Sequence, residues 1–339
     1  MAGAAGLFGT NFACAGIAIE HWTQPSGVQV YLVHSPAIPM VDMQIALDAG
    51  SRRDPADKPG LANLMASSTA YGVRAHGLEP ALDENALSDA WADLGASFSG
   101  GASADRLSFS LRSLTEPDIL DKAVALAARQ LAEPAFPDSL WLRDRPKLMA
   151  SIKESNTRPA TLAARAYATA VYGKHPYGYE MTEASLGRIA VADMQALHAQ
   201  AVQPCGAKVS VVGALNRAQT DALVTRLFAG IFVGLNAPQC VLPNALPSTV
   251  ANIVLEVQPL QAASEQHIPF ASAQAQVLLG QPGFKRNDPD FFALTVANHI
   301  LGGGGFTARL TAEVREKRGL TYSVSSGFSP GMHAGAFTI

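Results

Sequence analysis

The block from Thr307 to Ser325 holds the residues best suited to chemistry. A phenol such as that of Tyr322 can donate its O–H to an oxygen that gathers negative charge in a dry cleft. The guanidinium of Arg315 offers five fixed donors and stays charged at every relevant pH. Thr307 to Arg318 reads as a helix with Leu310 and Val314 on one face and Glu313 to Lys317 as an i, i+4 pair. Gly319 then ends it in C-cap position, and Leu320-Thr321-Tyr322-Ser323-Val324-Ser325 runs on as a strand. A helix that stops at glycine and reverses can bring Arg315 close to Tyr322. Read bare, Arg315, Lys317 and Arg318 complement a helix C-terminus, and Tyr322 is a half-buried strand aromatic.

Other chemistries find less support. The eight histidines, His21, His34, His76, His175, His198, His267, His299 and His333, show no i, i+4 pairing with one another, so each reads as a surface or core-edge residue. The serine-rich stretch Ser97 to Ser103 contains no G-x-S-x-G elbow. Gly302 to Gly305 opens a helix without a following Lys-Ser/Thr, and it reads as a turn that allows close backbone approach rather than a phosphate cradle. Cys14, Cys205 and Cys240 are far apart and odd in number, which suggests neither a disulfide framework nor a cysteine metal site.

These residues need elements to position them. Strict alternation marks strands at Val41–Leu47 and Leu107–Leu111, each half-buried in an antiparallel sheet. Helical periodicity covers Leu61–Ala70, Asn85–Leu94, Asp118–Ala132, Leu140–Ser155, Pro159–Val171 and Val191–Ala201, before a strand at Lys208–Val212. Strands followed by a run of helices indicate α+β and not a doubly wound parallel sheet. Pro238, Pro243 and Pro247 break the pattern over 234–252, which reads as a linker.

After that linker the opening theme recurs. Gln274 to Leu278 alternates as the stretch from Val41 does, Gly283 stands where Gly50 stood, Asn287-Asp288-Pro289 stands for Arg53-Asp54-Pro55, and a helix follows. The expected organisation is a possible export-leader remnant over 1–15, with Ala13-Cys14-Ala15 resembling a signal-peptidase site, then a first domain over 16–233, the linker, and an incomplete second copy over 253–339. With 48% hydrophobic and 16% charged residues the chain can build a sizeable core. A net charge of -3 leaves no basic excess for nucleic acid, and no stretch reaches bilayer-spanning length.

The helix after Pro59, Gly60-Leu61-Ala62-Asn63-Leu64-Met65-Ala66-Ser67-Ser68, resembles the helix that carries H-x-x-E-H in the pitrilysin (insulinase) metallopeptidases, in which two histidines hold zinc and the glutamate activates water. Matching glycine to glycine places Asn63 and Ser67 at the histidines and Ala66 at the glutamate, so this resemblance implies that the metal motif is lost. The third family ligand falls near Ser151, with Asp144 and Glu154 as neighbours. Leu301-Gly302-Gly303 through Arg309-Leu310 and Arg315 to Tyr322 resembles the family's second-half signature, whose Arg/Tyr pair falls on Arg315 and Tyr322. Ala132 to Pro137 and His175-Pro176-Tyr177-Gly178 extend the likeness along nearly the whole chain from His21.

The resemblance implies duplicated α/β-roll domains and a non-catalytic subunit with no metal or cofactor of its own. A homologous H-x-x-E-H partner would supply zinc, and this chain would supply Arg315, Tyr322 and half of a chamber for extended peptides gripped along a sheet edge. A periplasmic or exported location is expected, with cytoplasmic as the other possibility. The alternative reading is a structural or peptide-binding subunit without catalytic contribution.

Overall fold

The computed structural model describes residues 16–232 and 254–339. The leader-like stretch and the proline-rich linker expected from sequence lie outside those residues.

The first copy begins with β1 (Glu20–Thr23), β2 (Gln29–His34) and β3 (Met40–Leu47), followed by α1 (Leu61–Ser68) and the short pair β4 (Gly72–Val73) and β5 (Leu82–Asp83). It continues with α2 (Glu84–Asp93), β6 (Ser97–Ala102), β7 (Leu107–Leu114), α3 (Pro117–Ala132), α4 (Asp138–Ser155) and α5 (Pro159–Tyr172). The helices α6 (Glu183–Arg188) and α7 (Val191–Ala201), the strand β8 (Lys208–Gly213) and the helix α8 (Arg217–Phe232) complete it. The second copy contains β9 (Gly280–Pro282), α9 (Phe291–Asn298), β10 (Gly327–Phe328) and β11 (Ala336–Thr338). The architecture is the expected α+β.

The main sheet has the order β1-β2-β8-β3-β7-β6, antiparallel except for the parallel β2/β8 pair. Its alternation is a burial pattern. Val41, Met43, Ile45 and Leu47 of β3 and Leu107, Phe109 and Leu111 of β7 enter one core with residues of α1, α3 and α8. The opposite face carries Asp42, ion-paired to Arg112 at 2.6 Å, and is otherwise open among the described residues. One face packed and one wet is what period-two alternation dictates for a sheet covered on one side.

The smaller sheet, in the order β10-β11-β9, repeats the antiparallel β6-β7-β3 portion of the larger one. Gly280 pairs with Thr338 as Leu47 pairs with Leu107. That register explains two departures from the expected strands. Gln274–Leu278 is not a paired strand, and only Gly280–Pro282 immediately after it enters a ladder. Leu320–Ser325 is likewise outside any strand, with Leu320 and Tyr322 exposed. Its equivalent, β6, is paired by β7 residues from Leu107 onward, and the counterparts of those residues only begin at Thr338. Alternating side chains do not make a strand without a neighbour to take its backbone groups.

Helix boundaries follow the sequence reading closely in the first copy and differ in the second. The helix expected over Thr307–Arg318 is interrupted at Ala308, whose backbone is extended, and is π-wound over Thr311–Glu316. The glycine run closes the helix begun by α9, through a π-helical stretch at His299–Gly303, and opens only the 3-10 turn Gly305–Thr307. A Cβ on Gly302 would lie 2.5 Å from Ser326 Oγ, so close approach is its role. Cys205, between α7 and β8, is disulfide-bonded, a pairing that the spacing of the three cysteines does not announce.

Candidate functional site

Two places hold the residues singled out above, and each is built differently. The first is α1. Its buried face, Leu61, Leu64 and Met65, belongs to the main core. Its N-terminus is capped from a distance: the Asp54 carboxylate accepts from Gly60 N at 2.8 Å and Ala62 N at 2.9 Å, while Gly60 takes a left-handed φ of 97°. Burial pushes the Asp54 carboxyl up to about 6 even though these amides pull it down. Gly100 of β6 lets the helix lie tight on the sheet, because a Cβ there would stand 2.5 Å from the Ala66 carbonyl oxygen.

On this fixed helix Asn63 and Ser67 share the outward face one turn apart, while Ala66 is fully buried. None of the three has an imidazole or a carboxylate. Asn63 Oδ1 accepts from Ala102 N of β6 at 3.2 Å, and Ser67 Oγ donates to its own helix at Leu64 O, 3.1 Å. No cluster of three metal-binding side chains occurs among the described residues. A catalytic zinc takes about three deprotonated protein ligands, and this face does not fit one.

On α4, Asp144 bonds the turn that follows α1, seven positions before Ser151, which is exposed further along the same helix. Tyr71 donates to Asp144 Oδ2 at 3.0 Å, and Arg143 and Lys147 pair with the same carboxylate at 2.6 and 2.8 Å. Arg143 also forks onto Glu84 of α2. The Arg143 guanidinium, followed by the Lys147 ammonium, holds the Asp144 carboxyl well below the usual carboxylate range. Burial, followed by the bond to Asp144, pushes the Tyr71 phenol up to about 12. This carboxylate is therefore spent on a clasp joining the turn after α1 to α2 and α4.

The second place is the end of the π-wound helix. Gly319 closes it with φ 62°, its N–H donating to Arg315 O at 2.8 Å and that of Leu320 to Val314 O at 3.1 Å. The reversal carries Tyr322 back so that the Arg315 guanidinium carbon lies 5.4 Å from its ring centroid and 5.0 Å from that of Phe306. The Glu313–Lys317 bond is present at 2.6 Å. Phe306 was not anticipated, since an aromatic beside a glycine run has no periodic signature.

Two expected bystanders, His175 and His333, also meet, with ring centroids 5.0 Å apart where the two copies touch. Tyr177 donates to Asp105 Oδ1 at 2.6 Å and accepts from His333 N at 3.2 Å; Tyr172 and Tyr167 bond the backbone of β11. Burial, then the neighbouring His333, lowers the His175 imidazole below its ordinary range. Contacts this far apart in sequence leave no local spacing to read.

The model of insulinase-type peptidases (peptidase family M16) matches residues 29–185, and that of the peptidase M16 inactive domain matches residues 188–339. The crystal structure of a peptidase M16 inactive domain from Pseudomonas fluorescens is 32% identical, with a TM-score of 0.83 over 95% of this chain and 73% of that one. An uncharacterized zinc protease of Mycobacterium leprae is 23% identical over 94% of this chain and 67% of its own length. A Streptomyces coelicolor protein of the same description is 51% identical over 69 residues, 18% of this chain and 15% of that protein. No helix among the described residues is long and apolar enough to cross a membrane.

Proposed function

The chain belongs to the insulinase (M16) peptidase family, and from that premise we propose that it is a non-catalytic subunit completing a zinc peptidase whose metal sits in a homologous H-x-x-E-H partner. One contrast carries this reading: the face of α1 holds Asn63 and Ser67 with Ala66 buried beneath, while Arg315 still stands over Tyr322. The first arrangement has no ligand to offer a metal. The second keeps a phenol donor and an uncommitted guanidinium together.

In this reading an extended peptide adds along β6, an edge strand of the main sheet, beyond the Ala102 amide that Asn63 takes, and Tyr322 donates to the scissile carbonyl oxygen as it gathers charge. Arg315 binds the substrate backbone or orients Tyr322. The signal-peptidase-like Ala13-Cys14-Ala15 supports an exported location.

The test is cleavage of a quenched fluorescent peptide by this chain alone, by an H-x-x-E-H partner alone and by the mixture. Activity of the mixture above that of the partner is expected, with Tyr322→Phe lowering kcat about a hundredfold, as loss of one transition-state donor does. Chelator-sensitive activity from this chain alone would refute the proposal. A second reading, peptide capture without catalysis, is favoured by the position of β6 at the sheet edge; full activity of the Tyr322→Phe mixture would select it.

A further inference from the structure

Phe306 is large, apolar and 74% exposed, yet its position is tightly specified. Gly305 takes a left-handed φ of 64°, and its carbonyl accepts from Ala308 N at 3.1 Å and from Thr311 Oγ1 at 3.0 Å. Thr307 Oγ1 donates to Gly304 O at 3.1 Å. The Thr311 hydroxyl thus ties the glycine turn to the helix that carries Arg315, and the Thr307 hydroxyl closes the turn on itself, with Phe306 inside it. The ring lies 5.0 Å from the Arg315 guanidinium carbon, inside cation–π range.

The neighbouring cations are engaged differently. Lys317 and Arg318 both pair with Glu313, at 2.6 and 3.1 Å. Arg315 itself forms no hydrogen bond or ion pair through its side chain among the described residues. Phe306 and Tyr322 make no ring contact with each other, so the guanidinium is the bridge between them. Aromatic rings attract a guanidinium without consuming its N–H donors, which stay free for oxygen acceptors.

We propose that Phe306 is a positioning residue for Arg315: it holds the guanidinium beside Tyr322 with its donors unspent for a peptide carbonyl or carboxylate oxygen. This rests on the complementing-subunit reading for its catalytic consequence, but its geometry can be read from this chain alone. The exposed ring contributes little to the core, so Phe306→Leu should fold as the parent does, and Phe306→Tyr keeps the aromatic face.

Nitrogen–proton correlation spectra of the arginine Nε–H groups test the geometry, with Arg315→Lys assigning the signal. Ring currents shift the Arg315 signal; it should move in Phe306→Leu and stay near its parent position in Phe306→Tyr. In the mixture with the partner, Phe306→Leu should raise KM about two- to fivefold, the equivalent of one exposed cation–π contact, and Phe306→Tyr should restore it. An Arg315 signal indifferent to Phe306→Leu, or a KM effect that persists in an Arg315→Ala background, overturns the proposal. A shifted signal with an inactive mixture would uphold the clamp while refuting the complementing-subunit reading.

Discussion

Removing one oxygen at the contact between the two copies tests whether that contact is an organised joint. The Tyr177 hydroxyl donates to Asp105 Oδ1 at 2.6 Å and accepts the His333 amide at 3.2 Å, while Asp105 Oδ2 accepts from Met332 N at 2.9 Å. One phenol and one carboxylate of the first copy thus bind successive backbone amides of the second. Tyr177→Phe keeps the ring and leaves a half-buried carboxylate short of a donor and an amide short of an acceptor. A hydrogen bond to a charged group is worth roughly 1.5–3 kcal/mol and a neutral one about 1 kcal/mol. Asp105 keeps Met332 and the Arg52 guanidinium, whose Nε is 3.5 Å away, so the lower part of that range applies. The expected loss is about 2 kcal/mol, or ~0.7 M in the urea midpoint for a slope near 3 kcal/mol/M. Hydrogen exchange should localise it, with residues 330–339 losing protection before the main sheet does. A midpoint unchanged within about 0.2 M, with unaltered exchange over 330–339, would refute the reasoning.

Acid should weaken the fold from just below neutrality. Burial lowers both His175 and His198, so the folded state resists protons that the unfolded chain takes up near the ordinary value of 6.5. Their stabilisation is present above that pH and declines below it, by at most about 1.4 kcal/mol per pH unit per group. Asp54 acts oppositely: its carboxyl, near 6 when folded against 3.8 otherwise, favours the folded state as pH falls from 6 towards 4. Urea midpoints between pH 8 and 5 should therefore fall, more steeply in Asp54→Asn and less in His198→Gln; parallel curves would refute this. Gly100→Ala should cost roughly 1–3 kcal/mol, since its Cβ would meet the Ala66 carbonyl at 2.5 Å and the Phe109 ring at 2.7 Å. Gly101→Ala, whose nearest neighbour would be Asn63 Oδ1 at 3.8 Å, should be nearly neutral in the same melting experiment.

The first copy was legible because its signals are local. Alternation at Val41–Leu47 and periodicity at Asp118–Ala132 each report a burial face, and β3 and α3 formed within a residue of the expected ends. Alternation at Gln274–Leu278 and Leu320–Ser325 carried the same signal but met no pairing neighbour, so local pattern misled where the backbone partner decides. The candidate site divides the same way. Arg315 and Tyr322 are joined by a short reversal that Gly319 announces, whereas Tyr177, Asp105 and His333 are brought together only by the fold. Asp144 was named only as a neighbour of Ser151, and its bond to Tyr71, 73 positions away, has no local signature.

The two sites also explain why one could lose its chemistry without losing the fold. Helix α1 is located by its buried face, by the Asp54 cap and by its seat on Gly100, all independent of Asn63 and Ser67 on the outward face. Histidines there could be exchanged for polar residues at little cost in stability, since surface substitutions away from caps and cores usually change it by under about 0.5 kcal/mol. Asn63 even gains a role in holding the Ala102 amide. The Arg315 cluster is the converse. Tyr322 is 88% exposed and Phe306 74%, so packing does not require two aromatic rings there. Two rings gathered on one guanidinium leave its N–H donors unspent, which is what the proposed role of Arg315 requires.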